Sequence, residues 1–223
     1  MDENINEFLS QYITDNRKEL FDRVLNERTK YISVVLEDIY QAHNASAVLR
    51  SCDCFGIQDV HIIENTNEYT VSRDVALGSS KWVSMHKYNE HENNTLSAIK
   101  KLKADGYRVV ATTPHTNDVE LYDFDVTKGK AAFVFGTELT GISDIVKQEA
   151  DEFVKIPMYG FTESFNISVC AALMLQHLSH QIRATNVNWQ LSENERESIK
   201  FDWLKSSIKR SEAIIEEYKR RDI

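Results

Sequence analysis

Proline and glycine are scarce in this chain. Its 223 residues include 2 Pro and 7 Gly, and all nine fall between Gly56 and Gly160. With so little turn chemistry at either end, both termini are expected to be helical. Cysteine is too rare for a disulfide framework: there are three, two of them at Cys52 and Cys54, and reduced thiols are the expectation. No second Cys/His pair stands at ligand spacing from those two, so no metal is expected. Nor does any apolar stretch approach the roughly 18 residues of a membrane helix. The start, MDENINEFLSQY, is acidic where a signal peptide is basic and then apolar. A cytoplasmic location with no membrane partner is therefore expected. Two nucleotide-binding signatures are missing as well. Without G-x-G-x-x-G the chain does not read as a nicotinamide dehydrogenase or a Rossmann-type methyltransferase, and without a P-loop lysine it does not read as a nucleoside triphosphatase. An excess of positive charge is also lacking. Lys and Arg number 26 against 35 Asp and Glu, a formal charge of −9, which argues against indiscriminate nucleic-acid binding and against DNA as a partner.

What is present is the composition of an ordinary globular protein, 42% hydrophobic and 27% charged, which excludes disorder and coiled coil. Ile5, Phe8, Leu9, Tyr12 and Ile13 recur at i, i+3, i+4, i+7 and i+8, and Leu20, Phe21, Val24 and Leu25 continue the stripe, so the start reads as an amphipathic helix. Strand-like runs follow at Tyr31–Leu36, Val60–Ile63, Trp82–Met85, Arg108–Ala111, Ala131–Phe135 and Phe153–Ile156. Between them lie helical patterns: Ala45 to Phe55 closed by Gly56, Leu96 to Leu102 closed by Gly106, a short helix after Ser143, and a long apolar helix from about Phe165 to Arg183. Strands too apolar to alternate, interleaved with helices, indicate an α/β fold with a parallel sheet of some six strands and helices on both faces. The tail opens on a capping box, Ser192-Glu-Asn-Glu195, before a helix with Ile199, Trp203, Leu204 and Ile208. Residues 200–223 carry seven Lys/Arg against five acids. Such a run is either a solvated face or a contact for a polyanion.

In a parallel α/β sheet the loops beyond the carboxyl ends of the strands bind ligands. Three of them hold candidate chemistry. Gln41-Ala-His-Asn44 leads into a helix on which Arg50 flanks the apolar stripe, either as a functional group or as a surface arginine. Phe135-Gly-Thr-Glu-Leu-Thr-Gly-Ile-Ser143 has two glycines that let the backbone approach a ligand, or is simply a turn capped by Ser143. Ile156-Pro-Met-Tyr-Gly-Phe-Thr-Glu-Ser-Phe-Asn-Ile-Ser168 leads into the long helix, with Ser164 or Asn166 as candidate N-caps.

Taken together and in this order, the three segments resemble the motifs of the SpoU (TrmH-type) RNA ribose 2′-O-methyltransferases, a branch of the SPOUT superfamily. N-x-x-A-x-x-R with a following F-G stands as Asn44, Ala47, Arg50, Phe55 and Gly56. F-G-x-E-x-x-G-[IL]-S stands as Phe135 through Ser143. I-P-M-x-G-x-x-x-S-[LF]-N-[IV]-S-x-A stands as Ile156 through Ala171. The position after Ser164, usually Leu in the family, is Phe165, which keeps an apolar wall but changes its volume. The resemblance covers about Tyr31 to Arg183.

It implies a SPOUT methyltransferase fold with a carboxyl-terminal deep trefoil knot, flanked by N- and C-terminal helices. Residues 1–28 would be a helical extension, 29–184 the methyltransferase domain with its knot over about 112–172, and 185–223 a helical tRNA-binding extension. It also implies S-adenosylmethionine as cofactor and a homodimer with its site at the interface. Thr112, Gly136, Ile156 and Phe165, with Ser164 and Asn166, take the places of cofactor contacts. Arg50, Asn44, Glu138, Ser164 and Asn166 take those of catalytic residues. The short helical start and the helical tail resemble members that methylate guanosine-18 in the tRNA D-loop; another tRNA or ribosomal RNA nucleotide, or a non-catalytic RNA-binding role, stays open. The basic residues expected to meet tRNA are Arg23, Arg28, Lys30, Arg183, Lys209, Arg210, Lys219, Arg220 and Arg221. The long helix bears Ile167, Cys170, Ala171, Met174 and Leu175 on one face with Leu173 and Leu178 beside it, more apolar perimeter than one sheet covers, so part of it is expected to pack on a second copy.

Overall fold

A computed structural model describes residues 3–70, 72–114, 118–137 and 140–221. The chain separates into two compact units, residues 29–189 and a terminal unit built from residues 1–28 with 190–223.

The amino-terminal stripe forms two helices, α1 (Glu3–Ser10) and α2 (Asp15–Glu27), where its periodicity suggested one. The break has a local cause. Thr14 is extended, with φ −71° and ψ 154°, and its side chain accepts the Arg17 N–H, an N-cap that starts a new helix. Tyr12, placed by the periodicity on the apolar face, falls in the break and is exposed.

The larger unit holds a sheet in which every pairing is parallel. Its elements are β1 (Ile32–Glu37), α3 (Ala42–Phe55), β2 (Asp59–Ile63), α4 (Arg73–Ala76), β3 (Ser84–Tyr88), α5 (Thr95–Ala104), β4 (Arg108–Thr112), β5 (Val119–Glu120), β6 (Ala131–Phe135), α6 (Asp144–Glu149), β7 (Glu152–Lys155) and α7 (Ile167–Ala184). The strand order is β3-β2-β1-β6-β4-β7-β5. Seven strands thus replace the six expected; the extra one, β5, is two residues long and its side chains are exposed. The third strand begins two residues later than its apolar pattern indicated, because Ser79–Lys81 makes a 3-10 turn that Trp82 caps.

β1, β2 and β6 are buried at every position, which explains why they show no alternation in sequence. Alternate residues still serve different layers. Val34 pairs in register with Val60 and Phe133, and these face a core shared with Val48, Leu49 and Cys52 of α3 and Ala171, Leu175 and Leu178 of α7. Val35 and Val134 face the opposite layer, where Ile99 and Leu102 of α5 and Val146 of α6 pack. Gly56 ends α3 at φ +78°, a left-handed C-cap that costs glycine little. The edge strand β3 carries half-buried and exposed side chains, including His86 and Lys87, which blunts the edge against further pairing.

The tail also divides into two helices, α8 (Glu193–Ser207) and α9 (Ser211–Arg221). The Ser192 capping box is present in full, with the Glu195 side chain returned to the cap backbone. Lys209 and Arg210 lie in the turn between the helices rather than on one, and Arg210 sits at φ +59°. In this unit Asn6 donates to Glu197, Lys200 reaches Asp22, and Phe21 packs edge-on against Trp203. Arg28 corrects an expectation. It is 1% exposed, with its guanidinium 5.4 Å from the centre of the Trp203 ring, so it is a buried cation over an aromatic face and no phosphate can reach it.

Candidate active site

The carboxyl ends of β4, β6 and β7 open on a cleft of about 420 Å³. Thr112 ends β4 and Thr113 follows it, Gly136–Thr137 and Thr140–Ile142 follow β6, and Lys155 ends β7 with Ile156 after it; Met158 and Glu163–Phe165 close the cleft from the loop before α7. Its floor is apolar, with Val154, Ile156, Ile167 and Met174.

The turn after β6 is shaped by its two glycines. A Cβ on Gly136 would stand 2.2 Å from the carbonyl carbon and oxygen of Gly141 and 2.3 Å from the Ile142 nitrogen, so no side chain fits there. Gly141 adopts φ +69°, where glycine carries no steric penalty. Thr137 and Gly141 exchange two backbone hydrogen bonds of 3.0 Å, and the Thr137 and Thr140 hydroxyls meet at 2.7 Å. Ser143 then caps α6 by accepting the Val146 N–H. The strand-to-helix turn capped by Ser143 is present, and the close approach that Gly136 allows is to the backbone of Gly141 and Ile142. Glu138 lies outside the described residues.

At the third loop Asn166, and not Ser164, is the N-cap of α7; its Oδ1 accepts from the Ser168 N–H and hydroxyl. The Asn166 amide donates to Asn44 Oδ1 at 3.3 Å, and the Asn44 amide donates to Gln41 Oε1. The first motif is thereby joined to the third at the starts of their two helices. Asn44 is buried, Asn166 and Ser164 are exposed.

Thr112, Gly136, Ile156, Ser164 and Phe165 therefore share one cleft, and Thr112 donates its hydroxyl to the Val134 carbonyl, which fixes its rotamer. Asn166, Asn44 and Arg50 do not line it. Arg50 is exposed on α3 and has no hydrogen bond or ion pair with the described residues. Burial pushes the Cys170 thiol at the cleft wall up to about 11, which leaves it a neutral packing group and not a nucleophile.

The sequence pattern did not point to Glu37. This buried carboxylate at the end of β1 accepts from the Ser143 N–H and hydroxyl and from the Thr95 hydroxyl. A charged residue directly after the apolar run Tyr31–Leu36 was the available signal. Of the basic residues, Arg23, Lys209, Arg210, Lys219 and Arg220 are exposed, while the Arg221 side chain lies outside the described residues. Lys30 stands 3.6 Å from the Asp59 carboxylate. Arg183 donates to the Ser179 carbonyl and covers the Trp189 ring. Among the described residues no group of three His, Cys, Asp or Glu could hold a metal ion, and no helix is long and apolar enough to cross a membrane.

Residues 31–176 match the SpoU rRNA Methylase family. The chain belongs to that family. Among relatives of the SpoU chain, the tRNA (guanosine(18)-2′-O)-methyltransferase of Borreliella burgdorferi is 43% identical over 201 residues, 90% of each protein. The crystal structure of the A. aeolicus TrmH/SpoU tRNA modifying enzyme superposes with a TM-score of 0.76 at 27% identity, over 87% of this chain and 98% of that one. The SpoU methyltransferase AviRb from Streptomyces viridochromogenes, solved in complex with the cofactor AdoMet, shares the fold with a TM-score of 0.61 at 22% identity, over 74% of this chain and 65% of that one.

Proposed function

We propose that this protein methylates the ribose 2′-hydroxyl of a tRNA guanosine, position 18 in the D-loop, with S-adenosylmethionine as donor. The observation that carries the reading is the cleft formed where the second and third motifs meet. Its volume falls within the about 300–1,000 Å³ of small-molecule sites. Its walls suit the group: backbone edges at Gly136, Thr137, Gly141 and Ile156 can pair with adenine, and Ile142, Phe165 and Met174 offer apolar contact. The guanosine-18 target is supported by the name of the Borreliella relative and by the match along nine-tenths of both chains. When bound, S-adenosylmethionine supplies an electrophilic methyl group on a sulfonium.

The chain's own residues would serve the hydroxyl. A ribose 2′-hydroxyl is a poor nucleophile and loses its proton as it attacks. A guanidinium such as that of Arg50 is a poor base but a good clamp for phosphate and for developing alkoxide charge. The Asn166–Asn44 hydrogen bond orients the start of α3, and Ser164 stands at the mouth of the cleft. Glu138 keeps the role the resemblance implies, a carboxylate that shapes the site.

A homodimer belongs to the same proposal. Arg50 does not line its own chain's cleft, which a site completed by a second copy would explain. An apolar strip at the start of α7 also lacks cover: Phe165, in the loop before the helix, and Val169 and Leu173 on it are 42%, 45% and 44% exposed. This differs from the stripe expected from sequence, since Ile167, Ala171, Met174, Leu175 and Leu178 are all buried within the chain. The deep knot over about 112–172 is likewise proposed; the crossed order, with β6 between β1 and β4 and β7 between β4 and β5, supports it.

The test is methyl transfer from labelled S-adenosylmethionine to a tRNA transcript, with the product nucleotide mapped. Label at guanosine-18, abolished when that base is changed to adenosine, is the expected result. Label at another tRNA or ribosomal RNA position would overturn the target, and none on any RNA would overturn the reaction.

A further inference from the structure

Glu37 belongs to none of the three motifs and has no part in the proposed reaction, yet it is the best-supplied carboxylate near the cleft. It is 3% exposed. The Ser143 N–H donates to Oε2 at 2.8 Å, the Ser143 hydroxyl to Oε1 at 2.6 Å, and the Thr95 hydroxyl to Oε1 at 2.8 Å. A carboxylate is kept out of water only where such bonds replace its hydration. The far side of the arrangement is anchored too. Thr95 Oγ1 accepts from the Asn65 amide, and Asn65 Oδ1 accepts from the Asn94 N–H at the start of α5.

The near side is where the cleft begins. Ser143 is the last residue of the second motif and directly follows Gly141 and Ile142, both of which line the cleft. The turn is held at its outer end by exposed bonds between Thr137 and Thr140. Its inner end is held by Glu37, out of competition with solvent. A glycine turn of this kind has no stiffness of its own, since Gly136 and Gly141 contribute no side chains and Gly141 is in a conformation other residues avoid.

We propose that Glu37 is a positioning residue for the cofactor: acting through Ser143, it holds the Gly141–Ile142 wall of the cleft in its binding shape. This rests on reading the cleft as the S-adenosylmethionine site. Two substitutions grade the effect. Glu37→Leu fills similar space and removes every acceptor, leaving the Ser143 N–H unpaired in the interior. Glu37→Gln keeps one oxygen for that N–H, and the two hydroxyls can turn to meet its amide. Thr95→Val is the control, because it removes a donor on the α5 side and leaves the bonds to Ser143 in place.

The measurements are hydrogen exchange of residues 140–143, thermal stability, and S-adenosylmethionine affinity by calorimetry. Glu37→Leu is expected to speed exchange in that segment and to weaken the cofactor at least tenfold, with kcat at saturating cofactor within about threefold of the parent. Glu37→Gln should recover most of the affinity, and it carries the test if the leucine variant does not fold. Thr95→Val should lower the melting temperature and leave affinity unchanged. Folded Glu37 variants with parental exchange and affinity would overturn the proposal, as would a Thr95→Val variant that loses affinity equally. If the parent itself binds no S-adenosylmethionine, the reading of the cleft fails separately, and exchange in residues 140–143 alone decides whether Glu37 holds the wall.

Discussion

At Gly136 the smallest possible side chain would collide with the backbone of Gly141, while the long side chain of Arg50 forms no polar bond with the described residues. These two residues mark the extremes of what a motif encodes: Gly136 is needed for shape, whereas Arg50 has, on the proposal above, its role towards a group outside the chain. An exposed arginine without an internal role contributes little to stability, so its replacement should read out function cleanly. Arg50→Lys keeps the charge and loses the planar fork. We expect at least a hundredfold fall in kcat, about 2.7 kcal/mol or more, with cofactor affinity retained; near-normal turnover of Arg50→Ala would show that it is a surface residue. His61 makes a different prediction. It is buried, its Nδ1 meets the Tyr88 hydroxyl at 2.9 Å, and its ring stacks on His86. Burial, with the neighbouring His86 charge, pushes it down to about 4. Its folded form thus stays neutral where the unfolded histidine gains a proton, so stability is lost as pH falls from about 6.5 towards 4, at up to about 1.4 kcal/mol per pH unit for one proton. Urea titrations between pH 7 and 5 should show that slope reduced in His61→Asn, whose amide can replace Nδ1; equal slopes would mean that His61 does not titrate this way. The motif residues were legible because their chemistry sits at fixed spacing. Glu37 was not, since only the fold brings Thr95 and Ser143 to it. Arg28 misled because charge alone does not reveal that a guanidinium lies over Trp203.

Among the elements, those of the central sheet were the most readable. Uninterrupted apolar runs such as Ala131–Phe135 have one outcome in a parallel sheet, and glycines at 56 and 106 end the helices before the next strand. The terminal helices were less so. Their apolar periodicity continues through Gln11–Ile13 and through Lys209–Arg210, and there caps and a left-handed residue prevail over period. The second break matters for RNA binding. It moves Lys209 and Arg210 off the helix that carries Lys219 and Arg220, so the basic residues form two clusters and not one face. If α9 holds tRNA phosphates, replacing Lys219 and Arg220 by Ala should weaken binding by roughly 1–3 kcal/mol and reduce the slope of log affinity against log salt by about one unit for each phosphate no longer neutralised. Binding measured between about 50 and 200 mM salt with an unchanged slope would assign α9 a structural role only.

The molecule as a whole presents a cleft without its expected arginine and a long helix without cover for part of its surface. A three-residue apolar stripe costs little when exposed, so stability alone does not demand a partner. The stronger argument is the coincidence of place. Phe165 belongs both to the stripe and to the cleft, and so a second copy packed along Phe165, Val169 and Leu173 would lie at the mouth of the site. Isologous packing of this kind would bring each copy's α7 against the other's, and two sites would be completed at once. Leu173→Glu places a carboxylate on the proposed interface and leaves the chain's own core untouched, because Leu173 faces out. We expect the parent to show the mass of two chains by light scattering at micromolar concentration. The variant should run as one chain with its melting temperature lowered only by the loss of the partner, and its methyl transfer should fall together with its dimer fraction. A parent that scatters as a monomer would remove the dimer. A monomeric variant that retains full activity would show that each chain builds its site alone, and Arg50 would then have to reach the hydroxyl from outside its own cleft.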